Sequence, residues 1–297
     1  MKRNVIHMLV RFLLVVILAA ANVVVSGCRS LILEDRPLCP NRVVLQNVPS
    51  VDSDMWNYMK LDLLGDSESE SEEIVRMEDL NHGHPITWRK EHLFEVTAIT
   101  GWDGIIEDDG FYLIPVGEEC PNAIGGYARS MVGNDEFYYV DLPIRSLFAN
   151  VFLEIEGAAS RYEFKAVIRG AVDGYSLPAL RLHEGTFECE TRQLSYEMRA
   201  ARIPRQDEAS NALTKTVYAS GLKTDFFFQE QGTAEWDRFY TLSLGEIITM
   251  NGYDWSKPVL DDIHIKIRLA DGSITRLVVE VADWQVVVIG NGENYVI

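Results

Sequence analysis

The chain has 297 residues, 47 % of them apolar, which excludes global disorder and suits one large β domain or two of about 130 residues. Its 27 basic and 45 acidic side chains leave a net charge of −18. A body this acidic is repelled by nucleic acid and by anionic lipid headgroups, so neither is expected as a direct partner.

The N-terminal segment is basic at its start, with Lys2, Arg3 and Arg11, and has no acid before Cys28. Phe12 to Val25 is apolar apart from Asn22, a run shorter than the about 17–25 residues that a bilayer span needs. It ends in Val25-Ser26-Gly27-Cys28, which resembles the lipobox of bacterial lipoproteins. There the thiol receives a diacylglycerol, the peptide is cut before the cysteine, and the new amino terminus is acylated. The expectation is a lipoprotein signal peptide over residues 1–27 and a mature chain that begins at lipidated Cys28. A plain cleaved signal and an uncleaved anchor are the alternatives. Several acyl chains anchor a protein almost permanently where one does so only marginally. Loss of the three cations makes the body more acidic still, so the lipid, rather than surface charge, would hold it to a membrane outside the cytoplasm.

Residues 28–38 form a linker. With Cys28 lipidated, Cys39, Cys120 and Cys189 remain, enough for one disulfide and one free thiol in an oxidising compartment. Cys39 and Cys120 each precede a proline at loop-like positions and are the first pair to consider. Cys189, within Thr186-Phe187-Glu188-Cys189-Glu190-Thr191, is expected as a small buried hydrophobe on a strand.

Short strands are expected over Val43–Val48, Met55–Leu64, Leu93–Thr100, Phe111–Val116 and Glu136–Leu142. Asp66 to Glu73 is a self-repelling acidic run expected to be a solvated loop. A break at Asp141-Leu142-Pro143 suggests a domain boundary near Ser146–Asn150, with a helical turn over Ile144 to Phe148. Beyond it, Val151, Leu153 and Ile155 alternate with Phe152, Glu154 and Glu156, and Tyr162 to Arg169 alternates likewise, the pattern of strands with one buried face. Gly157 to Ser160 would turn between them. Arg199 to Thr214 is polar, contains Pro204 and is expected to be a loop. Further strands are expected over Asp225–Gln229 and Phe239–Leu242. Ser243 and Glu246 have capping-box spacing before a short helix to Met250, which Asn251-Gly252 would stop. Ile263, Ile265, Ile267 and Leu269 line one face of a hairpin strand, Asp271-Gly272 provides its turn, Ile274 to Val281 returns, and Trp284 to Ile289 adds a strand. No internal repeat is evident. Many short strands between Gly, Asn and Asp indicate an all-β protein of β-sandwiches rather than βαβ units.

The sequence carries no enzyme signature. It lacks a Gly-x-Ser-x-Gly elbow, a His-Glu-x-x-His pair and a glycine-rich phosphate loop. Gly101-Trp102-Asp103-Gly104 and Gly125-Gly126-Tyr127 look like turns. His82-Gly83-His84 offers two ligands without a third. Glu107-Asp108-Asp109-Gly110 and Asp261-Asp262 lack the alternating oxygens of a calcium loop and fit turn chemistry. Phe226-Phe227-Phe228 and Tyr138-Tyr139 place aromatics on both faces of a strand, one of them core. No enzymatic activity, cofactor or metal is expected.

Ile32-Leu33-Glu34-Asp35-Arg36-Pro37-Leu38-Cys39-Pro40, followed by Val43-Val44-Leu45, resembles the start of the FimB-like fimbrial anchor lipoproteins of Bacteroidales. The C-terminal hairpin running into Val281-Ala282-Asp283-Trp284 is similar to theirs. The resemblance implies two tandem transthyretin-like Greek-key β-sandwich domains, over residues 39–147 and 148–297. It implies a noncatalytic, lipid-anchored outer-membrane protein, exposed at the cell surface, that serves as fimbrial anchor or minor subunit. Its implied partners are fimbrial shaft or accessory subunits, joined by strand exchange, a form of β-augmentation. The alternative is a lipid-anchored carbohydrate-binding surface protein.

Overall fold

A computed structural model describes residues 40–46, 56–65, 71–106, 110–157, 162–179, 181–191, 194, 199–207, 221–269, 276–281, 287–290 and 293–296. The expected lipidation site Cys28, the linker, Cys39 and the Asp271-Gly272 turn lie outside them. The described chain is mostly β, arranged as sandwiches, with two short helices.

The N-terminal sandwich has two sheets. In the first, β1 (Pro40–Gln46) lies between β4 (Pro85–Arg89), antiparallel to it, and β9 (Phe137–Asp141), parallel to it. The second is antiparallel with the order β10 (Arg145–Ser146), β8 (Ile124–Met131), β5 (Leu93–Thr100), β2 (Tyr58–Gly65), β3 (Ser71–Arg76). Alternation along β2 buries Met59, Leu61 and Leu63 against Val43, Leu45 and Val140 of the facing sheet. Phe94 is fully buried between them, with Trp88 edge-on to its ring at 5.1 Å. Helix α1 (Met77–Asn81), which no sequence signal announced, contributes Met77 and Leu80 to this core.

The C-terminal sandwich repeats that plan. β11 (Phe148–Glu156) lies between β14 (Ala201–Pro204), antiparallel, and β17 (Ile263–Leu269), parallel. β18 (Arg276–Val281), β19 (Val287–Gly290) and β20 (Glu293–Val296) extend the sheet as an antiparallel meander, so the expected C-terminal hairpin forms. The facing sheet centres on β12 (Tyr162–Ser176), flanked by β13 (Arg181–Thr191) and by β15 (Lys223–Glu230), which pairs with β16 (Asp237–Leu242). Helix α2 (Leu244–Met250) ends as its sequence predicts: Gly252 at φ +71° reverses the chain, and its N–H and that of Tyr253 close on the carbonyls of Thr249 and Ile248. Ser243 makes no side-chain cap.

The expected division at residues 147/148 falls between β10 and β11. Hydrogen bonding crosses it: β6 (Ile105–Ile106) and β7 (Phe111–Leu113), from before it, extend the sheet of β12. A second apolar cluster fills the junction, where Ile99, Ala123 and Leu147 meet Tyr112, Val172, Tyr175 and Leu177.

Several sequence expectations are corrected by sheet pairing. Ile144 to Phe148 is extended rather than helical, because Arg145 and Ser146 pair with Gly125 and Ile124. Ser71 to Glu73 of the acidic run form part of β3, an edge strand, where acidic side chains remain in solvent and Lys60 reaches Glu72 at 3.1 Å. Residues 201–204 of the expected polar loop are strand β14, again at an edge, where a proline needs no ladder partner. Gly125 and Gly126 are mid-strand rather than a turn. A Cβ on Gly125 would lie 2.8 Å from Leu177 Cδ1, and one on Gly126 2.7 Å from the Pro143 carbonyl oxygen.

One polar group ties the halves. Arg205, 1 % exposed, donates to the carbonyls of Ser146 at 3.0 Å and Lys257 at 2.9 Å, to that of Trp255, and to the Asp207 carboxylate. Ser146 adds a backbone bond to Pro258 at 2.7 Å and accepts the Leu260 N–H at 3.1 Å. Arg205→Met should lower unfolding free energy by about 3–5 kcal/mol, because it strands a buried carboxylate and three carbonyls; urea denaturation measures this. Phe94→Ala should cost about 3–5 kcal/mol by leaving a cavity between the N-terminal sheets, and the same denaturation curves test it.

Candidate functional site

A sheet edge exposes a row of unpaired backbone donors and acceptors, which proteins blunt with charge, proline or short length. Two edges of the N-terminal sandwich are blunted: β3 carries Glu72 and Glu73, and β4 opens with Pro85 and closes with Arg89. The other two are not. β9 reads Phe-Tyr-Tyr-Val-Asp and pairs only with β1 among the described strands. β10 covers only Ile124 and Gly125 of β8. Tyr127 to Met131 therefore have no strand partner on that side among the described residues.

These open stretches, one from each sheet, flank a groove of about 670 Å³. Tyr127, Arg129, Tyr139, Ile144, Arg145 and Pro258 contribute to its lining. Glu95 on β5 orients one wall: it accepts the Tyr127 hydroxyl at 3.1 Å and holds the Arg129 guanidinium at 2.9 Å. Partial burial, with the bond to Glu95, pushes the Tyr127 hydroxyl above its usual pKa. At the far end the hydroxyls of Ser130 and Tyr138 are 3.0 Å apart and tie β8 to β9. On the other wall Gln46 donates to Asp141 at 2.7 Å. Phe137 and Tyr139 remain 42 % and 60 % exposed at this rim. The Pro143–Arg145 segment crosses the floor, admitted by Gly126, and Pro258 enters from the C-terminal half. Unpaired backbone beside a groove lined by apolar, tyrosine and charged side chains can hold an extended peptide.

Tyr127 and Tyr139, from two stretches singled out in the sequence, line the groove; the other candidates lie elsewhere. Cys120 is a free thiol, 1 % exposed, with Sγ 3.7 Å from the Leu147 carbonyl, and burial pushes its pKa up. Pro40, bonded to Cys39, starts β1, where Asn41 donates to the Asp135 carbonyl at 2.8 Å beyond the far end of β8. Cys39, the disulfide partner expected for Cys120, lies outside the described residues. Cys189 is buried on β13 as expected, its thiol pushed up to about 12 by burial. His82 and His84 engage separate partners, the Glu78 carbonyl at 2.7 Å and Glu73 at 3.4 Å. Asp261 holds Lys257, and Asp262 accepts Asn150 Nδ2 at 2.9 Å. Residues 107–109 lie outside the described residues. Phe226 is core, whereas Phe227 faces outward beneath Lys165, which also covers Trp236 at 4.9 Å. The groove itself escaped sequence reading. Its one local signal was the contrast between the apolar Phe137–Val140 run and the charged β3.

No protein-family model matches the chain, and no curated protein matches it in sequence. Solved structures do share its fold. A proposed adhesin from Bacteroides ovatus aligns with a TM-score of 0.51 at 11 % identity, covering 86 % of this chain and 96 % of that one. The fimbrial anchor protein Mfa2 of Porphyromonas gingivalis aligns at 0.50 and 11 % identity over 83 % and 98 %. A proposed polysaccharide-binding protein of Bacteroides thetaiotaomicron aligns at 0.51 and 10 % identity over 84 % and 99 %. The chain thus has the all-β, two-sandwich fold of these Bacteroidales proteins over nearly their whole length.

Proposed function

We propose that the protein is a noncatalytic, lipid-anchored component of a surface fimbria, its anchor or a minor subunit, and that the groove between β8 and β9 accepts a strand from a neighbouring subunit. The observation that carries this reading is the pair of open, unblunted edges facing each other across a groove while the other two edges of the same sandwich are guarded. An extended segment laid along Tyr127 to Met131 would satisfy the free backbone groups there and bury apolar side chains against Ala128, Val140 and Ile144. The fold shared with a fimbrial anchor supports the same reading. Cys28 would fix the protein to the outer membrane, with the acidic body held clear of the lipid surface.

The second reading is a carbohydrate-binding surface protein. Tyr127 and Tyr139 at the groove, together with the fold shared with the proposed polysaccharide-binding protein, favour it. Pull-down of the intact lipoprotein from its native host separates the two: a fimbrial subunit should copurify. Recovery of glycan without any fimbrial subunit would overturn the fimbrial reading.

Tyr139→Lys should block strand addition by placing a cation on the open edge. It should leave the melting temperature within a degree or two, because the side chain is exposed, and reduce the copurified subunit about tenfold or more. Cys28→Ala should abolish labelling by a palmitate analogue and release the protein from the membrane fraction; retained label would refute lipidation at this residue.

A further inference from the structure

The two sandwiches share one pairing plan, strand for strand. β1, β4 and β9 correspond to β11, β14 and β17, with the same antiparallel and parallel neighbours. In the facing sheets the order β3, β2, β5, β8 corresponds to β13, β12, β15, β16, antiparallel at every step. The plans part after the last shared strand. β17 is followed by β18, which turns back and pairs antiparallel along its outer edge from Ile265 to Leu269. β9 is followed by Leu142-Pro143 and β10, which leaves for the other sheet and pairs with β8. The edge that β18 covers on β17 is therefore the edge that β9 leaves open among the described strands.

Backbone bonding fixes which groups that edge offers. The Arg42 N–H bonds the Glu136 carbonyl and the Leu142 N–H bonds the Gln46 carbonyl, each at 3.0 Å. Successive residues of a strand aim their N–H and C=O to opposite sides, so residues 136, 138, 140 and 142 serve β1. Phe137, Tyr139 and Asp141 aim theirs at the groove. Their side chains are two exposed aromatics and a single acid, which Gln46 holds at the strand's end. On the equivalent edge, the register of β18 sets Val281, Val279 and Leu277 opposite Ile265, Ile267 and Leu269, all three buried. The matching inward positions of β9 are Tyr138 and Val140, half-buried and buried. A side chain opposite them would point between the sheets toward Ala128, which lines the groove.

We propose that the accepted strand, a segment of a partner subunit, takes on β9 the place that β18 holds on β17. It runs antiparallel to β9, spans about five residues, or roughly 17 Å, and bonds the backbone of Phe137, Tyr139 and Asp141. Apolar side chains stand opposite Tyr138 and Val140, and Tyr127 to Met131 of β8 flank its other side. This rests on the strand-accepting reading and adds the paired edge, the direction and the side-chain pattern. The N-terminal sandwich thus receives from a partner the strand that the C-terminal one supplies itself.

The test uses the detergent-solubilised full chain and acetylated, amidated heptapeptides with Thr at odd and Val at even positions. Fluorescein-labelled copies measure affinity by anisotropy. Copies with a benzophenone side chain at the first or last position are photo-crosslinked and mapped by mass spectrometry. The first-position label should mark the chain near Asp141 and the last-position label near Phe137. A twin with Asp at the even positions should bind at least about tenfold more weakly, because it would place carboxylates between the sheets. Tyr139→Pro removes an N–H that faces the groove and no bond to β1, so it should weaken binding about threefold to tenfold, the scale of one hydrogen bond. The reverse crosslinking pattern, or both labels at both ends equally, would overturn the direction while strand acceptance stands. Unchanged affinity in folded Tyr139→Pro, or crosslinks that all avoid β9, would overturn the assignment to β9; the crosslinks, read on the unaltered chain, decide it if that variant unfolds. Equal binding of the Asp twin would overturn the side-chain pattern. Failure of every peptide to bind would overturn strand acceptance and this inference together.

Discussion

Edge strands set the terms for this molecule. A sandwich built from short sheets has many edges, and every edge carries backbone groups that must be paired, hidden or made unattractive. Here β3 is acidic, β4 begins with proline, and β14 is short and ends in proline. Against that background β8 and β9 stand apart, because their open stretches face each other across a groove that mixes tyrosines and apolar residues with Arg129, Asp141 and Arg145. The candidate site is therefore defined by what the rest of the sandwich avoids.

The junction between the halves makes that site possible. Arg205 gathers carbonyls from Ser146, Trp255 and Lys257, so the segment leaving the N-terminal sandwich and a loop of the C-terminal one are fixed to the same guanidinium. Arg145 and Pro258, which floor the groove, stand one residue from those carbonyls. The C-terminal half thus helps to shape a groove whose walls belong to the N-terminal half. β6 and β7 strengthen the same junction by joining the sheet of β12. A division at residue 147 describes the order of strands along the chain better than it describes the hydrogen bonding.

Both sandwiches place their first strand between an antiparallel and a parallel neighbour, β1 beside β4 and β9, β11 beside β14 and β17. No repeat is visible in the sequence, because side-chain alternation constrains only which face is buried, and many residues satisfy it. The same limit explains the misread segments. Gly125-Gly126 has turn composition, yet both glycines serve close approach within a strand. Ser71 to Glu73 has loop composition, yet an edge strand tolerates acids on its open side. In each case packing or pairing with a neighbouring segment overrode local propensity.

The sequence by itself determined the strand periodicity of β2, β5, β11, β12 and β17, the helix before Asn251-Gly252, the acidic body, and the lipobox pattern ending at Cys28. These are local properties: alternation, turn chemistry and charge need no partner to be legible. Only the tertiary structure decided which strands pair, which edges stay open, and that Arg145 and Arg205 converge on one carboxylate. Many of those contacts join residues far apart in the chain, as Arg145 and Asp207 are, and period-two patterning fixes the buried face of a strand without naming the strand beside it.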